Sequence, residues 1–480
     1  MAGVIGSIDT NGNSVTIAAV VSGGGGLVKT GPGTLTLMGS NTYSGTTGVI
    51  QGVLSVSTIV PASGQSSVGT STSPIVLGDG THSTIVPSGG QSNVGSSMSP
   101  IVLGDGTHSG TLSYTGITAS YANGFIVNAG GGEIDMTTPG QQLTIDAQCI
   151  EDDSHLTIGG VGVTGVSSPI QGSGGLTKTG PGTLVLMAAN SYSGSTNVQD
   201  GILRLAHGAT LASSSAVTLG DGTDSGILEL GDASGPVNQT VASLTSSDTA
   251  AVVGGSAVTS TLTINNPLTD TFSGTLGGAG DQNNLALVKA GAGELTLTAA
   301  NTFTGGTTVN NGVLQLGSDT ALGNDAPLTV DGGTLDLNSH SITVSSLTTD
   351  SGSTGGTITD MSGTSATLVV NGETSTAFSG SIDDGSACKV SLVKYGGGTL
   401  TLTGTSGYTG GTSVEGGVLQ LSSRVPIVTR VAPTSTPAFC SWATAEVSLQ
   451  VVPSHWATAP IAAARAARSA TFPAYRARPR

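Results

Sequence analysis

Residues 27–56 read LVKTGPGTLTLMGSNTYSGTTGVIQGVLSV, and the pattern returns without a gap at 176–205 (LTKTGPGTLVLMAANSYSGSTNVQDGILRL), 287–316 (LVKAGAGELTLTAANTFTGGTTVNNGVLQL) and 392–421 (LVKYGGGTLTLTGTSGYTGGTSVEGGVLQL). In every copy an aromatic residue lies 14 positions after a lysine, and the leucine of a closing strand lies 25 after it. Leu35 and Leu37, like Leu184/Leu186, Leu295/Leu297 and Leu400/Leu402, alternate with small or polar residues. That period of two is the signature of a strand with one buried face. Glycines stand before and after the strands, where the chain must turn sharply.

The recurring frame of the first copy is Lys29, Gly31, Asn41, Tyr43 and Gly45. Its counterparts are Lys178, Gly180, Asn190, Tyr192 and Gly194, then Lys289, Gly291, Asn301, Phe303 and Gly305, then Lys394, Gly396, Tyr408 and Gly410, with Ser406 in place of the asparagine. From TLTL at 34–37 to VLSV at 53–56 is 19 residues, with a Thr-x-Val strand between them at 47–49. A 19-residue return with short strands and tight turns predicts one coil of a solenoid, and no helical periodicity precedes residue 440.

The copies start 149, 111 and 105 residues apart, and the spacers repeat the same grammar in SAVTLGDG (215–222), TLTINN (261–266) and LTVDGGTLDL (328–337). A second duplication sets TIVPASGQSSVGTSTSPIVLGDGTHS (58–83) directly before TIVPSGGQSNVGSSMSPIVLGDGTHS (84–109), a period of about one coil. The expected organisation is therefore a β-helix over 1–423, containing the four repeats and the duplication at 58–109, followed by an atypical Arg/Pro/Ala-rich tail at 424–480. That tail has no glycine, seven arginines and both tryptophans. A disordered or out-of-frame segment is expected there, with a short helix near 462–468.

Only 9% of the 480 residues are charged and 3% aromatic, while 77 are glycine. The composition departs from an ordinary globular enzyme, and a positive mean hydropathy of +0.20 argues against simple disorder. Residues 1–423 hold six basic against 28 acidic groups, a net −22 that repels nucleic acid and anionic lipid. Cys149, Cys388 and Cys440 are too few and too scattered for a disulfide framework. The first residues show no basic region followed by an apolar run, and no stretch reaches 18 apolar residues, so neither a secretory signal nor membrane insertion of this segment is expected.

The string G-G-L-x-K-x-G-x-G-x-L-x-L … N-x-Y-[ST]-G-x-T … G-x-L-x-L resembles the autotransporter-associated β-strand repeat, also called the passenger-associated transport repeat. The resemblance implies an all-β, right-handed parallel β-helix displayed on, or released from, the surface of a Gram-negative bacterium by type V secretion. It implies an outer-membrane β-barrel translocator as partner, with host surfaces or like passengers as further partners, and repeats that assist translocation and folding. The expected role is a structural scaffold for adhesion or self-association, with no cofactor and no catalytic or metal site. A carbohydrate-active β-helix enzyme, a lyase or hydrolase, is the competing class, and a non-functional truncated product is a third.

Ionisable clusters are sparse. Glu151-Asp152-Asp153 and Asp383-Asp384 read as solvated turns, and four of the six basic side chains in 1–423 are repeat lysines. GGGEIDM (130–136) and GGTLDL (332–337) approach a calcium-binding nonapeptide but lack its middle glycine and tandem array. TDSG (223–226) and TDSGS (349–353) share only Asp-Ser-Gly with a serine-protease motif, and no histidine has metal-ligand spacing. The repeat lysine and aromatic, 105 or more residues from their next copies, read as packing at a corner.

Overall fold

The computed structural model describes residues 5–422, apart from 40, 44, 57–74, 78–82, 88–100, 105–108, 115–117, 122–123, 147–148 and 247–249, together with the strands Phe439–Ala443 and Glu446–Gln450. The chain is a parallel β-solenoid of about 17 turns. It visits three sheets in rotation and lays each strand in parallel on the strand one coil earlier. One face carries an 8-stranded sheet from Gly6–Asp9 to Ile170–Gln171, continued from Asn238–Val241 by a 9-stranded sheet that crosses to the third face at Ile342–Thr348 and ends there at Thr412–Val414, while Thr376–Phe378, Thr399–Leu402 and Val418–Leu421 take over the first face. The next carries an 11-stranded sheet from Val15–Ile17 to Ser243–Ser246, continued by six strands from Asp270–Phe272 to Ser381–Ile382. An 8-stranded sheet from Ala119–Tyr121 to Thr275–Leu276 forms the third. At about 4.8 Å per rung, 17 turns span roughly 80 Å.

Alternation decides which atoms are buried. In the strand Thr34–Leu37, Leu35 and Leu37 are buried and both threonines are half-exposed, and Thr399–Leu402 repeats this pattern. Like residues stack from coil to coil, Leu35 on Leu54 and Leu184 on Leu203, so the buried leucines, valines and isoleucines form one continuous column. A solenoid gains its apolar burial from such neighbour contacts. The single helical turn among the described residues is 3-10, at Gly280–Asn283.

The corner before each closing strand requires glycine. Gly52, Gly201, Gly312 and Gly417 have φ of +79°, +69°, +64° and +65°. A Cβ on any of them would lie within 2.5 Å of a carbonyl oxygen in the coil beneath. Left-handed backbone and close approach of two coils both exclude a side chain here.

Of the duplication at 58–109, the strands Ile75–Leu77, Ser83–Pro87 and Ile101–Leu103 are described, and Val76 pairs with Val102, one coil apart. Most of its remainder lies outside the described residues. In the segment 424–480, Phe439–Ala443 and Glu446–Gln450 form an antiparallel pair, the second strand also running antiparallel to Val418–Leu421. The helix expected near 462–468 lies outside the described residues.

Candidate functional site: the repeat corner

Each 30-residue copy covers one and a half coils in the same register. The lysine strand lies beneath the Thr-x-Val strand, pairing Leu27 with Thr47, Leu176 with Thr196, Leu287 with Thr307 and Leu392 with Thr412. On the next face the leucine strand lies beneath the closing strand, pairing Leu35 with Leu54, Leu184 with Leu203, Leu295 with Leu314 and Leu400 with Leu419. Steps of 20 and 19 residues thus recur in all four copies.

The four lysines point inward. Lys29, Lys178, Lys289 and Lys394 are fully or almost fully buried. Each lies in the interior file between aliphatic residues one coil below and above: Ile8 and Val49, Ile158 and Val198, Ile264 and Val309, Val370 and Val414. The methylene stem continues the apolar column while the ammonium reaches the corner. There Lys29 Nζ donates to the carbonyls of Thr30 (2.8 Å), Gly31 (2.6 Å) and, one coil on, Gln51 (2.9 Å). Lys178 Nζ donates to Thr179, Gly180 and Asp200 at 2.6, 2.5 and 3.1 Å. Lys289 Nζ reaches Gly291 (2.5 Å) and Asn311 (3.2 Å). Lys394 clamps the other way, to Tyr395 (2.5 Å), Gly396 (2.9 Å) and Gly372 of the preceding coil (3.3 Å). The residue 22 after Lys394 is Gly416, at the corner where the other copies offer Gln51, Asp200 or Asn311.

Burial pushes Lys178 and Lys289 down to about 8, with Asp200 and Asp270 acting in the opposite direction. Lys29 and Lys394 are lowered for the same reason, partly offset by Asp9 and Glu373. Carbonyl dipoles and a distant carboxylate therefore hold a buried cation in place of a direct ion pair.

The asparagine bridges three coils. Asn190 Oδ1 accepts from Ile170 N in the coil below (2.9 Å), while Nδ2 donates to Ala188 O and, in the coil above, to Thr210 O, both at 2.9 Å. Asn301 accepts from Leu276 N (2.8 Å) and donates to Ala321 O (2.6 Å), and Asn41 Oδ1 accepts from Val21 N (2.7 Å). Ser406 retains the downward bond, from Ile382 N at 3.2 Å. A hydroxyl is too short to span the coils as the amide does.

Sequence reading did not connect the aromatic with the threonine four residues later. The hydroxyls of Tyr43, Tyr192 and Tyr408 meet Thr47, Thr196 and Thr412 Oγ1 at 2.8, 2.7 and 2.7 Å. Burial raises all three tyrosines, Tyr43 to about 12, with the threonine bonds acting oppositely. In the third copy Phe303 has no hydroxyl, and buried Thr307 Oγ1 is left without a hydrogen-bond partner. The signal was present in the sequence, since Thr opens the Thr-x-Val strand in all four copies.

The acidic cluster at 151–153 corrects the expectation of a solvated turn. Ile150–Asp152 is a strand and alternation turns Asp152 inward, where it is fully buried. Burial raises its carboxyl to about 6, against the opposing backbone N–H of Ser154, and Oδ2 has no partner. Asp383 and Asp384 are half-buried in the segment after Ser381–Ile382, not in a solvated turn, and Asp384 accepts from Thr409 N and Oγ1 and from Val390 N. Cys149 and Cys388 are both free thiols. Among the described residues no three His, Cys, Asp or Glu side chains are grouped to hold a metal, and no helix is long and apolar enough to cross a membrane.

The family model for the passenger-associated-transport-repeat matches residues 27–56, 176–205, 287–316 and 392–421. The chain is thus a parallel β-solenoid carrying four passenger-associated-transport-repeats, and the frame just described is the structure of that repeat. Over 411 residues it is 29% identical to the adhesin BmaC autotransporter of Brucella suis biovar 1 (strain 1330), an alignment covering 83% of this chain and 10% of that protein. The chain therefore spans about a tenth of the length of the curated relative it matches. No solved structure matches.

Proposed function

We propose that this chain is a surface-exposed scaffold from an autotransporter passenger, serving adhesion or self-association rather than catalysis and delivered through an outer-membrane β-barrel. The observation that carries the reading is the extended similarity to an autotransporter adhesin over 83% of the chain, reinforced by four passenger-associated repeats. The outward faces fit the role. Thr240, Thr263, Val288, Thr308, Thr329 and Thr348 form a half-exposed ladder across six rungs, with Thr329 and Thr348 hydroxyls 2.8 Å apart. Such a ladder offers hydroxyls and methyls at a regular spacing, suited to many weak contacts with a repetitive surface or with a like solenoid.

The test is to express the full chain between an export signal and an outer-membrane barrel in a non-adherent bacterium. Protease-accessible display together with increased attachment to host cells or increased autoaggregation is expected, and Thr308→Lys with Thr329→Lys should reduce it. Display of a folded passenger that adds neither attachment nor aggregation overturns the adhesive reading.

A further inference from the structure

We propose that the Asn311–Gly312 corner of the third repeat is a self-modification site, at which the buried Lys289 ammonium promotes cyclisation of Asn311 to a succinimide and its conversion to aspartate or isoaspartate. Three features converge there. Asn311 is exposed, and the Gly312 N–H is turned onto its side chain, donating to Oδ1 at 2.9 Å. That contact places the future nucleophile, Gly312 N, beside the future electrophile, Asn311 Cγ. Gly312 has φ +64° and no side chain to shield the amide. Finally, Lys289 Nζ donates at 3.2 Å to the main-chain carbonyl of Asn311, the oxygen of the peptide unit that contains Gly312 N. A cation on that oxygen stabilises the amidate formed when the N–H loses its proton.

The step balances with water alone. Deprotonated Gly312 N attacks Asn311 Cγ, a C–N bond forms, and the side-chain amide leaves as ammonia. Water then opens the ring at either carbonyl, so one water enters and one ammonia departs. The second repeat shows that the coil accommodates the aspartate product: Asp200 occupies this position, accepts from Gly201 N at 2.7 Å and presents its carbonyl to Lys178 Nζ. The first and fourth repeats offer Gln51 and Gly416 here, neither of which can form the five-membered ring. The other Asn–Gly pairs with both residues described are arranged differently. Gly12 N donates to Pro32 O, and the Asn371 side chain is held by Asp325 Oδ2 at 3.3 Å.

The experiment is incubation of the full chain in neutral buffer, below the pKa of about 8 to which burial lowers Lys289, with conversion at Asn11, Asn311 and Asn371 followed by peptide mapping and isoaspartate labelling. Asn311 is expected to convert several-fold faster than the other two. Lys289→Met should lower the ratio of Asn311 to Asn371 conversion several-fold, and Lys289→Arg should restore it. Use of a ratio cancels any general loosening of the fold by the substitution. Conversion at Asn311 no faster than at Asn371, or a ratio that Lys289→Met leaves unchanged or raises, overturns the proposal.

Discussion

At the scale of single residues, the third repeat contains its own control experiment. Tyr43, Tyr192 and Tyr408 each satisfy a buried threonine hydroxyl, whereas Phe303 leaves Thr307 Oγ1 unpaired. An unsatisfied buried hydroxyl costs about 1–3 kcal/mol, and a restored hydrogen bond contributes about 1 kcal/mol. Phe303→Tyr is therefore expected to stabilise the chain by about 1 kcal/mol, and Tyr192→Phe to destabilise it by about as much, both measured by urea unfolding. A Phe303→Tyr protein with an unchanged or lower midpoint would show that the site lacks room for the hydroxyl. The recurring lysine and aromatic were legible in the sequence as a packed frame. Their depth was not, because a lysine conventionally reads as solvent-facing and only the interior file of Ile264, Lys289 and Val309 reveals it as a core residue. Asp152 misled for the same reason: three consecutive acidic residues suggest a turn, but alternation within Ile150–Asp152 turns its last residue inward.

At the scale of elements, the strand, the 19-residue return and the glycine corners were all readable from spacing. What spacing could not reveal is which sheet each copy occupies. The lysine strand of the first copy, Leu27–Thr30, lies in the 8-stranded sheet that begins the solenoid, and that of the second, Gly175–Lys178, lies in the 11-stranded sheet beside it. A further slide separates the third and fourth copies. The register shift between Ala326 and Pro327 lets Ile342–Thr348 straddle two alignments, after which Thr399–Leu402 lies in a five-stranded sheet between Thr376–Phe378 and Val418–Leu421 rather than in the sheet of Glu294–Leu297. Coils of unequal length produce such drift, yet the motif keeps its internal register because its clamps are local. Asn190 ties the coil at Ile170 to the coil at Thr210, so Asn190→Ala should cost about 1–3 kcal/mol by orphaning buried backbone groups. Asn190→Ser should cost less, because its hydroxyl still accepts from Ile170 as Ser406 does from Ile382. Hydrogen exchange at the Ile170 amide separates the two: faster in Ala, protected in Ser.

At the scale of the whole molecule, buried titratable groups give stability an unusual pH dependence. Lys178 and Lys289 titrate at about 8 when folded against 10.5 when unfolded. Between these values the unfolded chain binds more protons, so stability rises with pH. Above about 10 the sign reverses, because the buried tyrosines, with Tyr43 at about 12, keep their protons while unfolded tyrosines ionise. Urea midpoints are expected to climb from pH 8, peak near pH 10 and then fall. Lys178→Met with Lys289→Met should flatten the climb and leave the fall. A midpoint that declines steadily from pH 8 would show that the carbonyl clamps hold both ammonium groups at their ordinary values.

Quasi-one-dimensional stacking also predicts which deletions the solenoid survives. Thr307 pairs with Leu328 and Leu314 with Leu335, each 21 residues on. Removing residues 307–327 therefore lets Leu328 take the place of Thr307 above Leu287, and Leu335 the place of Leu314 above Leu295, with Gly333 arriving at the corner now held by Gly312. Every inward side chain remains inward, and the loss is one rung and its apolar contacts. Removing residues 307–326 shortens the chain by one residue less and places Pro327 above Leu287. Alternation then turns Thr329 inward and Leu328 outward, and a slip of one residue exchanges the two faces of a strand. The first deletion is expected to yield a β-rich, cooperatively unfolding protein with unchanged dye exclusion. The second should bind a hydrophobic dye and be cleaved by protease near the junction. Equal tolerance of both deletions would mean that coil boundaries readjust freely, and that the shared 20- and 19-residue steps of the four repeats do not hold the register of the stack.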